Sequence, residues 1–171
     1  MLVQARVYPL CGRPGDGLSA LIRYHKLRRL DYHAWHLLAT IMHNNNNDDM
    51  RNHIAHAAIQ RAIKIMTASQ WVLSIDHVRR RYERELEQLQ TLLQQIIDHQ
   101  GNSESFFSWM QQQEKDKQAG EGSILLSQEQ LRSQGLDMFN IDDIEYIYTT
   151  CIKHQDHLDS EENETRNVKD L

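Results

Sequence analysis

Between Leu18 and Gln100 the chain holds neither proline nor glycine, and its apolar residues recur at steps of three and four. That spacing gives a helix one apolar face, so the pattern predicts helices separated by short polar breaks. The first stretch, residues 18–42, carries Leu18, Leu21, Ile22, Leu30, Trp35, Leu38, Ile41 and Met42 on its apolar positions. If it breaks at "RRLD", Asp31 is placed to cap the helix that follows. "HNNNNDD" is a loop, because Asn and Asp compete with helical hydrogen bonds and cap what comes next. A second helix is expected over 49–66, with Met50, Ile54, Ala58, Ala62 and Ile65 inward.

"TASQ", residues 67–70, reads as a capping box ahead of the longest helix, 69–99. Trp71, Ile75, Val78, Tyr82, Leu86, Leu89, Leu93 and Ile96 would then form a heptad-like seam with one stutter, closed by Gly101. Ahead of these helices, "VQARVYPL" alternates apolar and polar residues as a short extended arm would, and "CGRPGDG" supplies turn chemistry. After them come a short helix at "SESFFSWMQQQEKDK", a flexible link at "QAGEGS", a capping box at "SQEQ", and a helix over "NIDDIEYIYTTCIKHQDHL". The expected organisation is an arm (1–17), a helical core (18–118), a flexible link (119–126), a C-terminal helical segment (127–159) and a polar tail (160–171). The fold class is all-α, a helical bundle with one long amphipathic, partly heptad-patterned helix and smaller C-terminal helices.

Composition narrows the setting. At 171 residues, 40 % apolar and 25 % charged, the chain has enough material for a core and none of the bias of a disordered one. No apolar run approaches the roughly 20 residues that span a bilayer. The N-terminus lacks the long apolar stretch of a secretory signal. Two cysteines, Cys11 and Cys151, make no disulfide framework, so a cytoplasmic location is expected. The net charge of −5 is unevenly spread: residues 1–84 hold 13 Lys or Arg against 6 Asp or Glu, and residues 85–171 hold 6 against 18. Such a split serves an acidic partner, or draws one half of the protein onto the other.

The most conspicuous chemistry is histidine. Three His-x-x-His pairs occur: His33 and His36, His53 and His56, His154 and His157, the last preceded by Cys151. Residues three apart share a helical face, so each pair offers two imidazoles to a transition metal such as zinc. Zinc needs three or four protein ligands, however, and neither Glu-x-x-His nor His-Glu-x-x-His is present to supply them. The decisive test for His33 and His36 is whether another segment brings a carboxylate or a further histidine within about 4–5 Å.

Two basic stretches suit phosphate contact: Arg23, Lys26, Arg28 and Arg29, and then Arg79, Arg80 and Arg81. The sequence contains no glycine-rich phosphate loop, nucleophile elbow or Cys-x-x-Cys. For protein–protein contact the candidates are Trp71, Ile75, Val78, Tyr82, Leu89 and Leu93 of the seam, with the cluster Phe106, Phe107 and Trp109. The functional expectation is a non-enzymatic cytoplasmic adaptor, chaperone or assembly subunit acting through helix–helix contacts with another protein or with itself. The alternatives are a nucleic-acid-binding regulator using the Arg-rich N-terminal half and a metal-binding protein using the histidine pairs.

Overall fold

The computed structural model describes residues 2–46, 49–118 and 126–153. Among them are eight helices and no strand: α1 (Leu2–Leu10), α2 (Pro14–Leu27), α3 (Tyr32–Met42), α4 (Met50–Ala68), α5 (Asp76–Asp98), α6 (Ser103–Gln118), α7 (Gln128–Ser133) and α8 (Ile141–Lys153). The protein is an all-α bundle. α4 is its axis, packed against α3, α5, α6 and α8, while α1 lies on α2. One core runs through all of this, from Ala5 of α1 to Cys151 of α8.

The break at "RRLD" is real, and Asp31 performs two tasks there. Its carboxylate accepts from the His33 amide at 3.0 Å, capping α3, and from the Tyr24 hydroxyl at 2.6 Å, tying that cap to α2. Asp49 caps α4 in the same way, accepting from the Arg51 amide at 2.9 Å. Asn52, fully buried, holds the asparagine-rich loop: its side chain accepts from the Asn44 amide at 2.8 Å and donates to the Asn46 carbonyl at 2.7 Å. The SQEQ capping box forms on Ser127 and Gln130, and α8 docks on α2 and α4.

Three expectations need correction. The N-terminal arm is not extended but helical, as α1. The period-2 reading of Val3, Ala5 and Val7 fails because only Ala5 turns inward, with Leu2 beside it, while Val3 and Val7 stay exposed. Burial there follows helical spacing. Gly17 lets α1 settle on α2, since a Cβ at that position would lie 2.8 Å from the Pro9 ring.

Second, "TASQ" is not a capping box. Thr67 is still inside α4, its hydroxyl donating to the Ile63 carbonyl at 2.8 Å. The Ser69 hydroxyl and the Trp71 indole N–H then donate to the Ile65 and Met66 carbonyls, at 2.7 and 3.1 Å, and finish α4. The chain turns through Trp71 to Ile75, so the 23-residue α5 starts seven residues later than the seam implies.

Third, Gly101 does not itself take the left-handed conformation that ends α5. Gln100 does, at φ 62°, and the Gly101 amide closes onto the Ile96 carbonyl at 2.8 Å, as in a Schellman turn. Position 101 is glycine for want of room: a Cβ would sit 2.4 Å from Ile96 Cγ2 and 2.8 Å from the Asn52 carbonyl oxygen. Gly101→Ala should therefore cost about 1–3 kcal/mol by overpacking. Urea denaturation followed by circular dichroism reads this directly, and a cost near zero would contradict the close approach.

Candidate functional site

His53 and His56 project from the N-terminal half of α4 onto the start of α6. Nδ1 of His53 accepts from the Asn102 amide and Nδ1 of His56 from the Ser103 amide, each at 3.0 Å. One turn further along α4, Gln60 Oε1 accepts from the Ser103 hydroxyl at 3.0 Å. With the Asn102 side chain accepting from the Glu104 amide, the amides of Asn102, Ser103 and Glu104 at the head of α6 each have a side-chain acceptor. A bare Nδ1 requires the neutral tautomer with its proton on Nε2. Burial, reinforced by His53, lowers the His56 pKa and favours that form. Both Nδ1 lone pairs are therefore spent on a helix start, and binding a metal through them would break the clasp.

His33 and His36 meet the sequence test in part. Glu85 of α5 places a carboxylate oxygen 4.0 Å from His33 Nδ1, and it also acts electrostatically on His36, whose pKa burial lowers. Arg81 shares that carboxylate at 3.5 Å, and the His33 ring lies 4.0 Å from Tyr32. Among the described residues, no group of three or more His, Cys, Asp or Glu side chains is arranged to hold a metal ion. Cys151 is buried on α8, and burial pushes its thiol up to about 12, whereas His154 and His157 lie outside the described residues.

His25, absent from the sequence candidates, is a buried polar link between α2 and α8. It is 3 % exposed, its Nε2–H donates to the Arg29 carbonyl at 3.0 Å, and its Nδ1 accepts from the Tyr146 hydroxyl of α8 at 2.9 Å. Its ring meets the Trp35 ring edge-on at 4.7 Å, and burial lowers its pKa to about 4. The basic N-terminal half thus meets the acidic C-terminal half at α2 and α8. Lys26 sits over the Tyr146 ring at 5.2 Å, Ser19 donates to the buried Asp143, and both Lys26 and Arg23 act on that carboxylate.

The proposed seam is largely spent inside. Leu89 and Phe106 are in the core; Trp71, Tyr82, Leu93, Phe107 and Trp109 are half-buried against it; Val78 is half-buried, and Ile75 is exposed. Exposed apolar side chains gather elsewhere. The α2–α3 connection presents Leu27 and Leu30, at 73 % and 70 % exposure, on either side of Arg28 and Arg29. The α4–α5 connection presents Val72, Leu73 and Ile75. Both connections lie at one end of the bundle: Ser69 lines a shallow groove with residues 26–32, and Trp71 faces Tyr32 across 6.5 Å. A smaller apolar row, Val3, Val7 and Leu10, lies outward on α1. Of the second basic stretch, Arg79 pairs with Asp76 and Arg81 with Glu85 within α5.

Leu27, Val72 and Leu73 are missed in the sequence, and Leu30 is wrongly placed on an apolar face, because helices drawn straight through residues 18–42 and 69–99 hide both breaks. The leucines flanking "RR", and an apolar "WVL" outside any helical period, are the signals that mark them. No family model, no curated protein and no solved structure matches this chain.

Proposed function

We propose that the chain is a non-enzymatic cytoplasmic adaptor or assembly subunit that binds another protein at the basic, apolar end of the bundle. The observation that carries this reading is the pairing of two exposed apolar connections, Leu27 with Leu30 and Val72 with Leu73 and Ile75, around Lys26, Arg28 and Arg29. Exposed apolar patches rimmed by polar residues mark interaction surfaces in soluble proteins. The arginines steer and orient an acidic partner, and the leucines and valine supply the area to be desolvated. A partner segment with an apolar stripe beside carboxylates fits that chemistry. A purely electrostatic partner such as nucleic acid leaves the apolar side chains without a role. The absence of any described helix long and apolar enough to cross a membrane agrees with contact from the aqueous side.

The test is affinity capture from the native host with identification of what co-purifies, repeated with two full-length variants. Leu27→Ser/Leu30→Ser/Leu73→Ser should weaken the captured interaction at least about tenfold, as expected when apolar anchors leave an interface centre. Val3→Ser/Val7→Ser/Leu10→Ser on α1 should leave it unchanged. Circular dichroism should report folded protein in both. A strict monomer by light scattering with nothing captured sinks the reading; so does a loss confined to the α1 variant.

A further inference from the structure

Arg61 is the one lysine or arginine among the described residues that is buried, at 8 % exposure, and it is set in the middle of α4. A buried guanidinium normally has a carboxylate against it, because an ion removed from water costs more than most contacts return. Arg61 forms no ion pair with a described carboxylate. Its guanidinium faces the Trp35 ring at 5.4 Å, and its Nε–H has no acceptor. The groups that bear on it electrostatically include the Cys151 thiol, the Tyr146 phenol and the His25 ring.

The same side chain lines a pocket of about 90 Å³ with Ala57, Gln60, Lys64, Phe107 and Cys151. Ala57 and Phe107 make dry walls. Gln60 has its oxygen committed to the Ser103 hydroxyl, so its amide N–H groups are what it offers. Lys64 adds positive charge at the same lining, whatever else it contacts. Among the described lining residues there are donors and cations and no carboxylate.

We propose that this pocket is a binding site for a small oxyanion, a carboxylate or phosphate group, gripped by the Arg61 guanidinium. The fork of a guanidinium matches two oxygens of such a group, a fit that neither a halide nor a neutral ligand provides. The volume suits a head group and not a drug-sized molecule, which occupies about 300–1,000 Å³. Cys151 remains a thiol in its buried position, so the site binds an anion and does not attack it. This site is separate from the basic, apolar end and does not depend on a protein partner.

The experiment is thermal denaturation of the full-length protein titrated with inorganic phosphate and, separately, with acetate, at constant ionic strength set with chloride. The midpoint should rise saturably with at least one of them, as for any ligand that binds only the folded state. Arg61→Met should lose that response, weakening apparent affinity at least about tenfold, because it removes the charge-assisted fork. It should remain folded without added anion, since an unpaired buried charge leaves with it. Arg61→Lys, which keeps charge without the fork, should fall between, and Arg80→Met should respond like the unaltered protein. No saturable rise with either anion, or an undiminished response in Arg61→Met, overturns the proposal. If Arg61→Met does not fold, full affinity in Arg61→Lys does so instead.

Discussion

Acidification from pH 7 to pH 4 is expected to remove about 3 kcal/mol of folding stability through His25 alone, at roughly 1.4 kcal/mol per pH unit. The imidazole is neutral in the fold because burial lowers its pKa to about 4, while in the unfolded chain it titrates near its ordinary value of 6.5. Between these values the unfolded state binds a proton that the folded state refuses. The stabilisation is therefore complete above pH 6.5 and is lost progressively as the pH falls toward 4. Burial lowers His36, His43 and His56 in the same direction, so each steepens the loss. Asp143 opposes it, since burial raises its pKa and the folded state takes up that proton more readily than the unfolded chain. Urea denaturation at pH 7, 6, 5 and 4 measures the whole effect. His25→Gln, which does not titrate, isolates the part due to His25. Its stability curve should be flatter than that of the unaltered protein by about 3 kcal/mol over the window. A variant whose pH dependence parallels the parent's would show that His25 takes up its proton without unfolding cost.

Trp35→Ala should cost about 3–5 kcal/mol, a large fraction of the stability of a domain this size. Trp35 is 1 % exposed in the first turn of α3, with the His25 ring against one part of the indole and the Arg61 guanidinium over its face. Truncation leaves a cavity and strips Arg61 of its one described contact with a π-face, worth about 0.5–2 kcal/mol where a cation is desolvated. Trp35→Phe keeps a ring and should recover more than half of the loss. A surface change such as Leu27→Ser should stay within about 0.5 kcal/mol. Chemical denaturation at pH 7.5 is the appropriate measurement, since His25 is neutral there in both states. A cost below about 1 kcal/mol for Trp35→Ala would mean that the core around α3 collapses to fill the space.

The helical class was legible because its signal is local. A run of more than eighty residues without proline or glycine, patterned at 3.6, excludes most other folds, and Asp31 and Ser127 announce their helix starts by type and spacing. The clasps were not legible. Nothing in "HIAH" says that its imidazoles accept from amides 47 and 49 residues away, since the same spacing serves a metal, a helix start or water equally well. Arg61 was similarly hidden. From Ala57 to Met66 the buried side of α4 is otherwise apolar, so the charge at position 61 is the irregularity that points to it. The displaced start of α5 has a third cause. The Trp71 indole N–H donates to the Met66 carbonyl at the end of α4, a local capture that holds Trp71 outside the heptad period that would carry the helix through.

The two imidazoles that hold the first amides of α6 have a consequence for how the molecule breathes. A helix usually frays from its own ends, at little cost, because its terminal amides exchange water for a cap of its own sequence. α6 is released at its N-terminus only when α4 gives up two side-chain acceptors and the Gln60–Ser103 contact together. The head of α6 therefore belongs to the same cooperative unit as the middle of α4, and its amides exchange with deuterium as slowly as that unit opens. Removing the two imidazoles, as in His53→Ala/His56→Ala, uncouples the segments and converts one unit into two.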